Sequence, residues 1–171
     1  MTTGATVQLE HDFAAVFDSH AAKLVRFAAF LGADDAEDVV QEAFCRFYER
    51  RHSFSGELLQ AGAYLNRTVL NLVRDRHRRR GRSLRVVRLH EREAEAVAPS
   101  VEALSLASED GRLLVEALAK LPQRRREAVT LRYWLDLSYV EIATVMGTAV
   151  GTAKSTVFRG IEDLQRHLEQ S

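Results

Sequence analysis

Residues 137–168, LSYVEIATVMGTAVGTAKSTVFRGIEDLQRHL, constrain the fold more than any other stretch of the chain. Ser138 followed by Glu141 spells a capping box: the serine hydroxyl accepts from the glutamate amide, and the carboxylate reaches back to the serine amide. Leu137 and Ile142 flank it as a hydrophobic staple. Ile142, Ala143, Val145 and Met146 make a short buried face. Gly147 suits the left-handed position that ends a helix, and Thr148 is placed to cap the next one. From there Val150, Ala153, Val157, Ile161, Leu164 and Leu168 recur at three- and four-residue spacing, the buried stripe of a second helix. Two helices across a Gly147-Thr148-Ala149 turn have the form of a helix-turn-helix, whose second helix enters the major groove. Its outer face offers Thr152, Lys154, Ser155, Phe158, Arg159 and Glu162. Lys154 and Arg159 suit guanine edges or phosphates, Ser155 suits either, and Phe158 suits a thymine methyl. An ordinary amphipathic αα-hairpin shares the apolar spacing. The capping box, the turn glycine and the basic outer face together favour DNA.

The rest of the chain has to say what this reader is attached to. Only two prolines and nine glycines interrupt 171 residues, and helix formers dominate, which predicts an all-α protein. A first amphipathic helix is expected over Leu9–Leu31, ended by Gly32. Asp34-Asp35-Ala36-Glu37 reads as a capping-box-like start to a second helix burying Val39, Val40, Ala43, Phe44 and Phe47. After a loop over His52–Gly62, a third helix is expected from Ala63 to about Arg80 on a stripe of Leu65, Thr68, Val69, Leu72 and Val73. Ala94–Asp110, with Pro99, small residues and acids, reads as an exposed linker. Helices at Leu113–Leu121 and Gln123–Tyr133 lead to the opening stretch, with Arg124, Arg125, Arg126 and Glu127 assigned to the outside of the latter.

Net charge is formally zero, so any nucleic-acid signal must lie in its distribution. Asp34, Asp35, Glu37, Asp38 and Glu42 form one acidic block. Arg74, Arg76, Arg78, Arg79, Arg80, Arg82, Arg85, Arg88 and Arg92 form a basic one. Such separation suggests two partners, a basic protein surface and a phosphate backbone. For the acidic helix alone, a solvated face matched to the helix dipole explains the charges as simply. Self-repulsion among so many arginines, by contrast, points to a nucleic acid. Cys45 is the single cysteine, so no internal disulfide forms, and a reduced, cytoplasmic setting is expected with Cys45 as a buried thiol beside Phe44. No signal pattern and no membrane-length apolar run is present. The histidines lack metal-ligand spacing, and neither a phosphate-binding glycine loop nor a catalytic constellation appears. No metal, no cofactor and no enzymatic activity are expected.

Three segments together resemble the extracytoplasmic-function (ECF) sigma factors, the minimal RNA polymerase sigma subunits of the sigma-70 family with only regions 2 and 4. Asp35-Ala36-Glu37-Asp38-Val39-Val40-Gln41-Glu42-Ala43-Phe44 resembles the region 2.2 motif. Ala63-Tyr64-Leu65-Asn66-Arg67-Thr68-Val69-Leu70-Asn71-Leu72-Val73-Arg74-Asp75, with the arginines after it, resembles regions 2.3–2.4. Leu121-Pro122 to Leu168 resembles region 4. Their order and separation, over about Phe13–Leu168, make the resemblance specific.

The resemblance implies two small helical domains, region 2 over residues 9–92 and region 4 over 109–171, joined by a flexible linker at 93–108. It implies binding to RNA polymerase core, with Asp38, Gln41 and Glu42 on the β′ clamp helices and region 4 on the β flap. It implies recognition and melting of the promoter −10 element through Asn66, Arg67, Asn71, Arg74 and Arg78, with a flipped base taken by the His52–Gly62 loop. It implies −35 recognition through Thr152, Lys154, Ser155, Phe158 and Arg159, and it leaves room for an anti-sigma factor. Tyr64 stands where the family usually has tryptophan, Leu70 where arginine is common, and Ala153 where valine is common. With nothing after Ser171, fused C-terminal regulatory domains are not expected. The competing reading is a stand-alone helix-turn-helix regulator of duplex DNA, which leaves the acidic helix and the Asn71–arginine segment unexplained.

Overall fold

The computed structural model describes residues 3–50, 58–87 and 109–170, with side chains described for 13–50, 61–81 and 111–170. All regular structure among them is helical: α1 Thr3–Phe30, α2 Ala36–Glu49, α3 Leu58–Val87, α4 Glu109–Lys120, α5 Gln123–Tyr133, α6 Tyr139–Met146 and α7 Val150–Glu169. The expected linker at 93–108 and most of the His52–Gly62 loop lie outside the described residues. Residues 58–62 of that loop belong to α3, which starts a turn and more before Ala63 because no proline stops it.

In the N-terminal group, α2 packs on both α1 and α3. Leu24, Phe27, Leu31, Val39, Ala43, Leu65, Val69 and Val73 are almost fully buried. Phe13 stacks on Phe47 and meets Phe44 edge-on, both at 6.1 Å between centroids. Gly32 turns the chain at φ 85°, with the Gly32 and Ala33 amides donating to the carbonyls of Ala29 and Ala28. This left-handed stop is the one expected of a glycine at a helix C-terminus.

Several expectations fail here. Asp35 is the N-cap of α2 but makes no side-chain cap hydrogen bond; its carboxylate pairs with Arg76 of α3 instead. Phe17, which helical spacing groups with Phe13, Val16, Leu24 and Phe27 on the apolar stripe of the first helix, is half exposed, because it rests on the Phe44 ring at 4.8 Å from outside the core. Cys45 is exposed, not buried. One step of about 100° round the helix separates it from Phe44, which is enough to carry it from the core to the outer face.

In the C-terminal group, α7 is central and packs on α4, α5 and α6. Val115, Ala117, Leu131, Ile142, Ala153 and Val157 form its buried centre. Gly160 is where α5 and α7 come closest: a Cβ there would stand 2.5 Å from Val129 Cγ2 and 3.1 Å from the Arg125 carbonyl oxygen. Val150 and Leu168, expected inside, are exposed; they sit at the two ends of α7, beyond the length that its neighbours cover. The N-cap of α7 is Ala149 with no side-chain bond, not Thr148. The Thr148 amide instead donates to Ala143 O, closing α6.

The two groups touch. Contacts run from α3 to α6 and from α1 to α4 and α5.

Candidate nucleic-acid interface

The α6–α7 unit is built as its sequence predicts. Glu141 N donates to Ser138 Oγ at 3.3 Å and Ser138 N donates to Glu141 Oε2 at 2.7 Å, completing the capping box. Hydrogen bonding by the Ser138 hydroxyl, and then by the Ser138 amide, holds the Glu141 carboxyl below its ordinary range, because both favour its charged form. Gly147 takes the left-handed conformation at φ 66°. A second clamp was not foreseen: Arg132 of α5 donates to Leu137 O at 3.0 Å and lies 5.4 Å from the Tyr139 ring centroid. It fixes the entry into α6 from below.

On α7, Thr152, Lys154, Ser155, Phe158 and Arg159 are all exposed, so the structure brings the five predicted residues together on one surface. Phe158 is 54% exposed, with Lys154 Nζ 5.9 Å from its ring centroid. Ser155 Oγ donates to Thr152 O at 3.0 Å, which leaves its oxygen lone pairs free for a donor on a base. The helix is fixed in rotation from behind. Asp163, buried on α7, is held by Arg125 of α5 and by Arg166. The Arg125 hydrogen bond draws its carboxyl below the ordinary value.

The α3 residues divide. Arg67 and Asn71 are exposed and, with Arg46, Glu49, Arg50, Tyr64 and Thr68, line an open cleft of about 620 Å³ between α2 and α3. Arg46 and Arg50 were not singled out in the sequence, where they looked like basic residues closing α2. The other predicted residues are engaged within the chain. Asn66 is only 8% exposed; it lies in a second cleft, about 600 Å³, whose far wall is Leu137, Val140 and Val145 of the C-terminal group. Arg78 is exposed but pairs with Asp75. Arg74 donates from Nε to Glu127 Oε1 at 2.9 Å and from Nη2 to Oε2 at 2.6 Å, a bidentate pair across the two groups. Glu127, assigned to the outside from sequence, is 2% exposed. Gln123 Nε2 supplies it a third donor at 3.0 Å.

Of the three α2 residues expected to meet the polymerase, Asp38 and Gln41 are exposed. Glu42 is half-buried and accepts from Arg46 at 2.6 Å and from Arg76 at 3.3 Å. Arg80 pairs with Asp34. Acidic and basic blocks that the sequence suggests for separate partners therefore meet within the N-terminal group, while Asp38 stays exposed.

Comparison with known proteins accounts for both halves. Residues 16–83 match sigma-70 region 2, and residues 111–164 match sigma-70 region 4. The chain is 33% identical over 136 residues to the RNA polymerase sigma-E factor of Streptomyces antibioticus, covering 79% of this chain and 71% of that one. It is 31% identical over 158 residues to the ECF RNA polymerase sigma factor SigL of Mycobacterium tuberculosis, covering 91% and 88%. The chain belongs to the ECF sigma factors. As such it binds RNA polymerase core and directs promoter-specific initiation through −10 and −35 elements; a stand-alone duplex regulator is not favoured. A solved sigma factor, RpoE of Bartonella quintana in complex with the anti-sigma factor NepR, matches with a TM-score of 0.69 at 28% identity, over 99% of this chain and 98% of that one. Among the described residues of this sigma factor, no helix is long and apolar enough to cross a membrane.

Proposed function

We propose that this sigma factor divides its work between residues 9–92, which carry region 2, and residues 109–171, which carry region 4. On this reading α7 holds the −35 duplex with Thr152, Lys154, Ser155, Phe158 and Arg159. The −10 strand runs along α3 past Arg67 and Asn71, with Asn66, Arg74 and Arg78 joining once the chain is on polymerase. Arg46, Arg50 and Tyr64 extend that track, since a single strand needs cations for its phosphates and a ring or pocket for its bases. Asp38 and Gln41, with Glu42 beside them, dock on the β′ clamp helices, and region 4 rests on the β flap. The protein acts without chemistry of its own, in the cytoplasm and on the nucleoid when polymerase-bound. An anti-sigma factor is an expected partner, as it is for the Bartonella protein.

The observation that carries the reading is the coexistence, on separate helical groups, of an open Lys154–Phe158–Arg159 face and an Arg67–Asn71 cleft. The test is transcription from a promoter library by purified core plus this protein. Promoter-dependent transcripts are expected. If none appears and core does not bind, the reading fails. Charge reversal at Asp38 is expected to weaken core affinity more than reversal at Glu42, whose carboxylate is already shared by two arginines.

A further inference from the structure

The cleft of about 600 Å³ lined by α1, α3 and α6 joins features that DNA does not explain. Its polar groups lack partners. Asn66 is 8% exposed, and its side-chain amide, on the lining of the cleft, makes no hydrogen bond among the described residues. One turn earlier on α3, Gly62 lies under the His20 ring of α1; a Cβ there would stand 2.9 Å from Nε2. His20 Nδ1 lies 3.0 Å from Val16 O and 2.7 Å from Ser19 Oγ, whose own hydrogen goes to the same carbonyl. A carbonyl only accepts, so Nδ1 carries the ring hydrogen and donates. Nε2 is the nitrogen left over, and it too has no hydrogen-bond partner among the described residues.

The walls differ in kind. On one side α1 and α3 bring Lys23 and Arg67, both exposed and neither in an ion pair among the described residues. On the other, α6 and the turn before it bring Leu137, Val140 and Val145. Glu141 is the single acid on this lining, and its carboxylate turns back to accept from the Ser138 amide. Val140 is left 61% exposed. A concave, mainly apolar space of this volume with a few convergent polar groups is the form of a small-molecule site. A phosphodiester strand would leave the apolar wall uncovered. An apolar side chain would leave Asn66 and His20 unpaired, which is costly for a buried amide.

We propose that this cleft binds a small amphiphilic acid, one carboxylate on a medium-length alkyl or aryl body. The carboxylate accepts from the Asn66 amide and is neutralised by Lys23 and Arg67. His20 takes up a proton at Nε2 as the anion arrives, since a neighbouring negative charge favours the imidazolium. The body lies on Leu137, Val140 and Val145. The site stands on the geometry of the cleft and not on the assignment of Asn66 and Arg67 to −10 DNA.

Calorimetric titration of the full chain with octanoate tests this, beside octanol, which keeps the body and lacks the charge, and acetate, which does the reverse. Trp134, the single tryptophan, adjoins Leu135 of the lining and gives a second readout by its emission. Saturable one-to-one binding of octanoate is expected, with octanol and acetate each at least tenfold weaker. Lys23→Glu and Val140→Asp alter exposed residues and are each expected to weaken octanoate at least tenfold. Asn66→Leu, which keeps the volume and removes the amide, is expected to do the same. Lys120→Glu, an exposed cation of α4 away from the cleft, is expected to change nothing. Above neutral pH the heat of binding is expected to vary with the ionisation heat of the buffer, and to stop varying in His20→Gln. No saturable binding of octanoate, the result for a cleft filled only by a polypeptide, overturns the proposal. Binding that the three cleft variants leave intact lies elsewhere and overturns it too. Octanol bound as tightly as octanoate overturns the acid as the ligand class, and heat independent of buffer overturns the part given to His20. If Asn66→Leu loses helix content by circular dichroism, Lys23→Glu and Val140→Asp decide.

Discussion

The two helices proposed to meet DNA, α7 and α3, hold their basic residues differently. On α7, Lys154, Phe158 and Arg159 are exposed, and among the described residues neither cation is in an ion pair; the helix is fixed from behind by Asp163 with Arg125 and by close packing at Gly160. On α3, the arginines at 74, 76, 78 and 80 each meet a carboxylate of the same chain. Duplex DNA presents its groove already formed, so a rigid, open helix suits it. A strand that must first be separated has to be met by groups that become available at the right moment. Arginine held by an internal carboxylate is available only once that carboxylate is displaced.

The largest effect that would break this contrast comes from the α6–α7 core. Ile142, fully buried, replaced by alanine should cost the C-terminal group about 2–5 kcal/mol. Urea unfolding should show that loss while core binding through α2 persists; equal loss of both would mean that the two groups fold as one unit. Next, Lys154→Ala and Arg159→Ala should each weaken binding to −35 duplex by about 1–3 kcal/mol if they read bases. Uniform weakening over all sequences would reduce them to phosphate contacts and bring α7 closer to α3 in kind. Gly160→Ala should destabilise by about 1–3 kcal/mol, as overpacking does. Its Cβ would overlap Val129 Cγ2. The melting shift should come with reduced −35 affinity, since α7 would be pushed out of register; a shift without it would show that α7 needs no precise backing.

The smallest effect concerns the cap. Ser138→Ala should cost about 1 kcal/mol. The Glu141 carboxyl is depressed in the folded chain, so its contribution is present above the unfolded carboxylate pKa and is lost as pH falls through the lower folded value. Acid titration of thermal stability should therefore be shallower for Ser138→Ala than for the wild type. An identical acid limb would show that the capping box does not couple to folding.

Much of this was legible in the residues because it is local. Ser138, Glu141 and Gly147 act within one turn of their own backbone, and they sit where their spacing put them. The exposed face of α7 followed from the same periodicity. Errors gathered wherever a partner from another helix decides. Glu127 follows three arginines and looks like a surface acid, yet α3 brings Arg74 to it from fifty-three residues away. Asn66 has the phase of a surface residue on α3 until α6 closes over it. Asp35 is a natural cap that Arg76 takes for itself. Cys45 is the exception: one step of about 100° from a core phenylalanine is enough to expose it.

By itself, then, the order of residues determined seven helices' worth of periodicity, the stops at Gly32 and Gly147, and the exposed residue types of α7, because helix propensity, capping and apolar spacing are properties of neighbours along the chain. Only the tertiary structure decided which of those surfaces is open. A charged side chain pairs with whichever opposite charge packing brings within reach, and sequence distance has no bearing on that.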